Sequence, residues 1–133
     1  LWSDVDEDGD PDLVFGDRDG RDGGVHLFVN RVGADRHWVE LVLEGTASNR
    51  DGIGARVALE AGGVRQLRDV RGGGGHGNQG TRVVHFGLAD ETVVDSVTVR
   101  WVGGATETVT GVDVDGRFRV VEGSGTAVAL PPD

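Results

Sequence analysis

Apolar and polar residues alternate with a period of two along much of this chain. In the run from His37 to Glu44, Val39, Leu41 and Leu43 share one face while Glu40 and Glu44 mark the other. From Ala55 to Ala61, Val57 and Leu59 point one way and Arg56 and Glu60 the other. Gly62-Gly63 then supplies a two-residue turn signal, so Val64 to Val70 is predicted to return as the hairpin partner. Thr81–Phe86, Ser96–Trp101, Thr106–Val112 and Arg117–Val121 follow as further short strands, with Asp115-Gly116 marking another tight turn. A helical period of 3.6 is nowhere sustained; one short turn near Leu88–Thr92 is the most the pattern allows. About seven short strands between residues 36 and 123 predict a β-sandwich or barrel-like domain.

Two more apolar runs lie ahead of that domain. Leu13-Val14-Phe15-Gly16 reads as a short strand, and Val25 to Asn30 as a second, with Val25, Leu27 and Val29 on one face and His26, Phe28 and Asn30 on the other. An isolated hairpin is marginal in water, so residues 1–30 are expected to complete a larger sheet built with sequence upstream. At the other end, residues 124–133, with Pro131-Pro132, are expected to form a tail or linker.

Composition narrows the chemistry. The 133 residues include 24 Gly, no Cys and no Met, and the net charge is −10 with every basic residue an Arg. Without Cys there is neither a disulfide framework nor a thiolate metal site. An acidic chain without Lys is a poor nucleic-acid binder, because affinity for phosphate backbones comes from clustered positive charge. No apolar run approaches the roughly 18–20 residues needed to span a bilayer. The acidity is unevenly placed: residues 1–35 hold nine Asp and one Glu against three Arg, a net of −7, which leaves −3 for everything after them. A block of carboxylates repels itself and is either disordered or holding cations.

The spacing inside that block favours cations. Asp4, Asp6, Asp8 and Asp12 with Gly9 form D-x-D-x-D-G-x-x-D. Oxygens at loop positions 1, 3 and 5 converge on one point if the chain turns sharply after position 5, where Gly9 tolerates positive φ. Asp10 offers its backbone carbonyl and Asp12 its carboxylate. Hard oxygen donors at this density suit Ca²⁺, which takes six to eight of them. The expected metal residues are therefore Asp4, Asp6, Asp8, Asp10 and Asp12. The loop is not an EF-hand: position 12 is Phe15 rather than Glu, and Pro11 and the apolar run behind it lead into a strand, not a helix. A second group, Asp17, Asp19 and Asp22 with Gly20, lacks the full spacing and reads as a polar hairpin loop.

The acidic loop followed by Leu-Val-Phe-Gly and His-Leu-Phe-Val-Asn resembles a partial FG-GAP/VCBS repeat over about the first 30 residues. Those repeats build calcium-loaded β-propellers, so the resemblance implies that residues 1–35 are part of a propeller blade packed against upstream blades. From His37 to Glu122 the order of Ser48-Asn49-Arg50-Asp51-Gly52-Ile53-Gly54-Ala55-Arg56-Val57, a glycine-rich loop at Gly72–Gly80, His85-Phe86-Gly87-Leu88 and Val99-Arg100-Trp101 is similar to the ASPIC/UnbV domain. That domain follows FG-GAP/VCBS propellers in the cartilage acidic protein family and occurs in UnbV-type proteins of enediyne gene clusters. Val102 stands where the family usually has Pro, and His76-Gly77-Asn78-Gln79 where it usually has Tyr-Leu-Ser-Gln.

Catalytic alternatives find less support. Gly75 to Gly80 matches G-x-G-x-x-G, but a strand rather than a helix follows it, so no helix N-terminus is there to hold a pyrophosphate. No G-x-S-x-G string occurs. His26, His37, His76 and His85 share no metal-ligand spacing and are expected to be structural, with His76 the one to test. Arg50 and Asp51 are read as turn-stabilising, Asp51 bonding the turn backbone and Arg50 pairing with it or a neighbour. Trp38 and Trp101 are expected in the core, with a sugar-stacking role only if exposed. The reading is an all-β protein: a partial propeller repeat with a calcium loop over 1–35, a β-sandwich or barrel-like domain over 36–123, and a tail over 124–133. The expected function is a non-catalytic, extracellular or cell-surface, calcium-binding adhesion or interaction module with a protein or carbohydrate partner. The alternative is an accessory role in an enediyne-type biosynthetic pathway.

Overall fold

A computed structural model describes residues 1–6, 8–16, 24–33, 35–74 and 79–131. Eleven strands form there: β1 Trp2–Ser3, β2 Asp12–Gly16, β3 Val25–Phe28, β4 His37–Glu44, β5 Arg56–Ala61, β6 Val64–Asp69, β7 Val84–Ala89, β8 Ser96–Arg100, β9 Thr106–Val109, β10 Gly116–Val121 and β11 Ala127–Ala129. No helix is present among the described residues. The strands make three sheets, in the orders β1-β2-β3, β11-β10-β4-β7 and β6-β5-β8-β9, and none closes into a barrel.

The two four-stranded sheets form a sandwich whose inner faces are those the alternation predicts. Val39, Leu41 and Leu43 of β4, Val84, Phe86 and Leu88 of β7, and Phe118 and Val120 of β10 meet Val57 and Leu59 of β5 and Val97 and Val99 of β8 in one buried core. Phe86, Leu41, Leu59, Val57 and Val99 are fully buried. The β5–β6 hairpin forms as expected, Ala61 facing Val64 across Gly62 and Gly63, whose φ values of 53° and 76° suit the primed two-residue turn. The mouth of the sandwich between β6 and β7 is closed by Arg68, whose guanidinium lies 5.4 Å from the centre of the Phe86 ring, and by Gln66, which donates to the Gly87 carbonyl at 2.7 Å.

Four elements differ from the sequence expectation. β7 runs to Ala89 and begins at Val84, not Thr81, because the inward set is Val84, Phe86 and Leu88 and continues past Gly87. β9 stops at Val109, after which Thr110 bridges Thr126 and Gly111 turns the chain at a φ of 77°. The bend at Asp115-Gly116 is no hairpin: it carries the chain from one sheet to the other, where β10 pairs parallel with β4. Residues 124–133 were expected to be a tail or linker, yet Ala127–Ala129 pair antiparallel with β10 and extend the sheet. Too short to read as a strand on its own pattern, this segment is ordered by the free edge of β10.

The N-terminal sheet is built otherwise. All four residues of β3 are exposed. Phe15 stacks on His26 at 5.1 Å and on Phe28 at 5.6 Å, the cross-strand and diagonal neighbours of one face. Trp2 and Leu13 belong to that same face, and Trp2 is 63 % exposed.

Candidate functional site

The acidic loop joins β1 to β2. Gly9 has a φ of 91°, the left-handed conformation that the turn after Asp8 requires. With that turn made, Asp4, Asp6 and Asp8 each bring a carboxylate oxygen within 4.8 Å of the other two. Hydrogen bonds inside the loop hold this shape: the Gly9 amide donates to Asp4 Oδ2 at 3.0 Å and the Asp10 amide to Asp8 Oδ1 at 3.0 Å. A set of hard carboxylate oxygens at such separations fits a divalent cation of the calcium type and suits no soft metal.

The other two residues of the expected set use their carboxylates differently. Asp12 is fully buried. Its Oδ2 accepts the Val5 amide at 2.8 Å and its Oδ1 the Asn30 amide at 2.8 Å, so one side chain ties the loop to the end of β3. Asp10 accepts the Gly33 amide at 2.7 Å and ties the loop to the segment leading into β4. Neither carboxylate joins the three-oxygen group. The second acidic group, Asp17, Asp19 and Asp22, lies outside the described residues, as do Gly75, His76 and Gly77 of the glycine-rich loop.

The loop rests on the sandwich through Trp38. A Cβ placed on Gly9 would stand 2.0 Å from Trp38 Nε1, so only glycine leaves the indole room against the turn. Trp38 stacks in turn on His85, ring centres 6.3 Å apart. Beside them on the outer face of β4, Glu40 is only 5 % exposed although the alternation places it on the solvent side. Arg117 Nε donates to Glu40 Oε2 at 2.7 Å, and His85 Nδ1 stands 3.8 Å from Oε1, an ion-pair rather than a hydrogen-bond distance. Burial pushes the Glu40 carboxyl up, but His85 and Arg117 outweigh it and hold the group below its ordinary value. Trp101, by contrast, lies in the core as expected, its Nε1 donating to Glu107 Oε1 at 2.5 Å.

The Asn-Arg-Asp-Gly turn is held by partners that no local pattern reveals. The amides of Thr46, Ala47 and Ser48 all donate to Glu122 Oε2, at 2.9, 2.9 and 2.7 Å, and the Ser48 hydroxyl donates to Oε1 at 2.9 Å. Those hydrogen bonds, Ser48 foremost, hold the Glu122 carboxyl below its ordinary value. Asn49 spans the turn by accepting from the Ile53 amide and donating to the Ile53 carbonyl, both at 2.8 Å. Asp51 pairs with Arg82 at 2.9 Å, not with Arg50. Sequence reasoning also passed over Trp2, the exposed indole. It lines a depression of about 520 Å³ between the N-terminal sheet and the sandwich, together with Asn30, Arg68, Asp69 and His85.

An all-β sandwich carrying an acidic, glycine-turned loop against its outer face is the class that this geometry defines. Within that class the match is specific: the family model described as ASPIC and UnbV covers residues 45–127, and the chain belongs to that family. No curated protein matches the chain.

Proposed function

We propose that this chain is a non-catalytic, calcium-binding interaction module of an extracellular or cell-surface protein. The observation that carries the reading is the convergence of Asp4, Asp6 and Asp8 within 4.8 Å around the Gly9 turn. Three carboxylates so close repel one another, and a divalent cation removes that repulsion. Asp4, Asp6 and Asp8 would hold the ion with their carboxylates and Asp10 with its backbone carbonyl. Asp12 would brace the loop. The ion supplies only charge neutralisation and cross-linking of the loop. The chain's own residues then fix the N-terminal sheet on the sandwich, through Gly9 against Trp38 and Asp10 on Gly33.

The exposed aromatic face of the N-terminal sheet supports the companion reading, a partial FG-GAP/VCBS repeat packed against further blade strands. Trp2, Phe15 and Phe28 are 63 %, 44 % and 59 % exposed on one side of a three-stranded sheet, more apolar surface than so small an element leaves to water without a partner. A protein or carbohydrate partner would use the depression beside Trp2. None of the described residues forms a helix long and apolar enough to cross a membrane.

Calorimetry with Ca²⁺ tests the central claim. Saturable binding is expected in the native chain, with a rise in Tm, and both are expected to vanish in Asp4→Asn/Asp8→Asn. No heat and no rise in Tm in the native chain would overturn it.

A further inference from the structure

Strands β5 and β8 of the sandwich each carry an arginine that neither the core nor the acidic loop uses. Arg56 opens β5 and Arg100 ends β8. β5 and β8 pair antiparallel with Arg56 directly opposite Arg100. Both side chains stand on the solvent face, since their neighbours Val57 and Val99 are fully buried on the other. On the far side of β5, Asp69 is the direct partner of Arg56 and accepts its Nε at 2.7 Å and its Nη2 at 3.3 Å. The Arg56 hydrogen bond, and after it the charges of Arg56 and Arg71, hold the Asp69 carboxyl below its ordinary value.

Two guanidiniums therefore stand directly opposite each other with one carboxylate bonded to Arg56, within a chain of net charge −10. Like charges directly opposite on neighbouring strands repel. The sheet offers Arg100 no relief: its other strand partner is Thr106, and the next outward row is Ala58, Thr98 and Thr108. Arg100 has no hydrogen-bond or ion-pair partner among the described residues. Gly54 and the turn Val102–Gly104 wall the remaining side, leaving an open depression of about 270 Å³ lined by Arg56, Asp69 and Arg100. A Cβ on Gly103 or Gly104 would meet nothing within 4 Å, so the rim is clear to an approaching group.

We propose that this depression is an oxyanion site, in which the guanidinium of Arg100 and the Nη1 edge of Arg56 grip a carboxylate, sulfate or phosphate group carried by a ligand. Asp69 is a positioning residue: by occupying Nε and Nη2 of Arg56 it fixes that guanidinium and leaves Nη1 for a ligand. Two arginine forks on one rigid sheet suit a planar or tetrahedral oxyanion far better than a spherical halide. The site shares no residue with the acidic loop and stands whether or not that loop binds calcium.

The test is an NMR titration of the arginine Nε–H signals in the intact chain, with EDTA present. Sodium sulfate, phosphate and acetate are each compared with sodium chloride at matched ionic strength. The Arg56 and Arg100 signals are expected to shift saturably with at least one oxyanion and not with chloride, and the three salts separate a planar from a tetrahedral preference. Arg100→Gln should weaken that binding at least tenfold with Tm unchanged, and Arg119→Gln, on the other sheet, should leave it intact. If Arg100→Gln does not fold, Arg100→Lys keeps the charge, loses the fork and should still weaken binding several-fold. Responses that follow ionic strength alike for all four salts overturn the proposal, as does equal weakening in Arg119→Gln or none in the folded Arg100 variant.

Discussion

The N-terminal sheet and the sandwich hold their strands together by different means. In the sandwich, side chains of β4, β5, β7, β8 and β10 leave water almost completely. Among the described residues of the N-terminal sheet the fully buried side chain is a carboxylate, Asp12, while Trp2, Phe15 and Phe28 remain exposed. One unit is held by apolar burial, which is non-directional. The other is held by directed bonds from backbone amides to acids. The contrast teaches where each unit is vulnerable.

The largest expected effect lies in the core. Phe86→Ala removes a fully buried ring and leaves a cavity between the sheets, so unfolding should become easier by about 4 kcal/mol, read from urea denaturation. Calcium should not restore that loss. A smaller and more local effect is expected for Asp12→Ala. Two amides, of Val5 and Asn30, lose their acceptor, at about 2 kcal/mol for the N-terminal sheet. Hydrogen exchange should quicken at Val5 and Asn30 and stay slow at Val39 and Leu41. Equal quickening in both places would mean that the two units unfold as one, and the contrast would fail.

The smallest effect concerns pH and cuts across the contrast, because the sandwich also contains directed carboxylates. Glu40 and Glu122 both titrate below the ordinary 4.5 in the folded chain. Their contribution is thus fully present above about pH 4.5 and is lost as pH falls through the lowered folded value. Tm of the native chain should decline in that acid range. Glu122→Gln should start from a lower Tm at neutral pH and decline less steeply. Equal slopes for the two proteins would remove Glu122 from the account.

The sequence by itself determined most of the strands and the inward faces of β4 and β5. Alternation from Val39 to Leu43 and from Val57 to Leu59 named core residues correctly, because the period-two geometry of a strand is local. The chemistry of Gly62-Gly63 and of Gly9 was legible for the same reason: positive φ is a property of single positions. The spacing of Asp4, Asp6 and Asp8 likewise anticipated their convergence. Only the tertiary structure decided which segments meet. It paired β10 parallel with β4, drew Ala127–Ala129 into the sheet, and placed Glu122 beneath amides 74 to 76 residues away. It buried Glu40 beside Arg117 and His85, gave Asp12 to backbone amides, and set Arg56 against Arg100. Pairings of this kind depend on sheet order and register, which are settled by the collective burial of the core and leave no periodic trace along the chain.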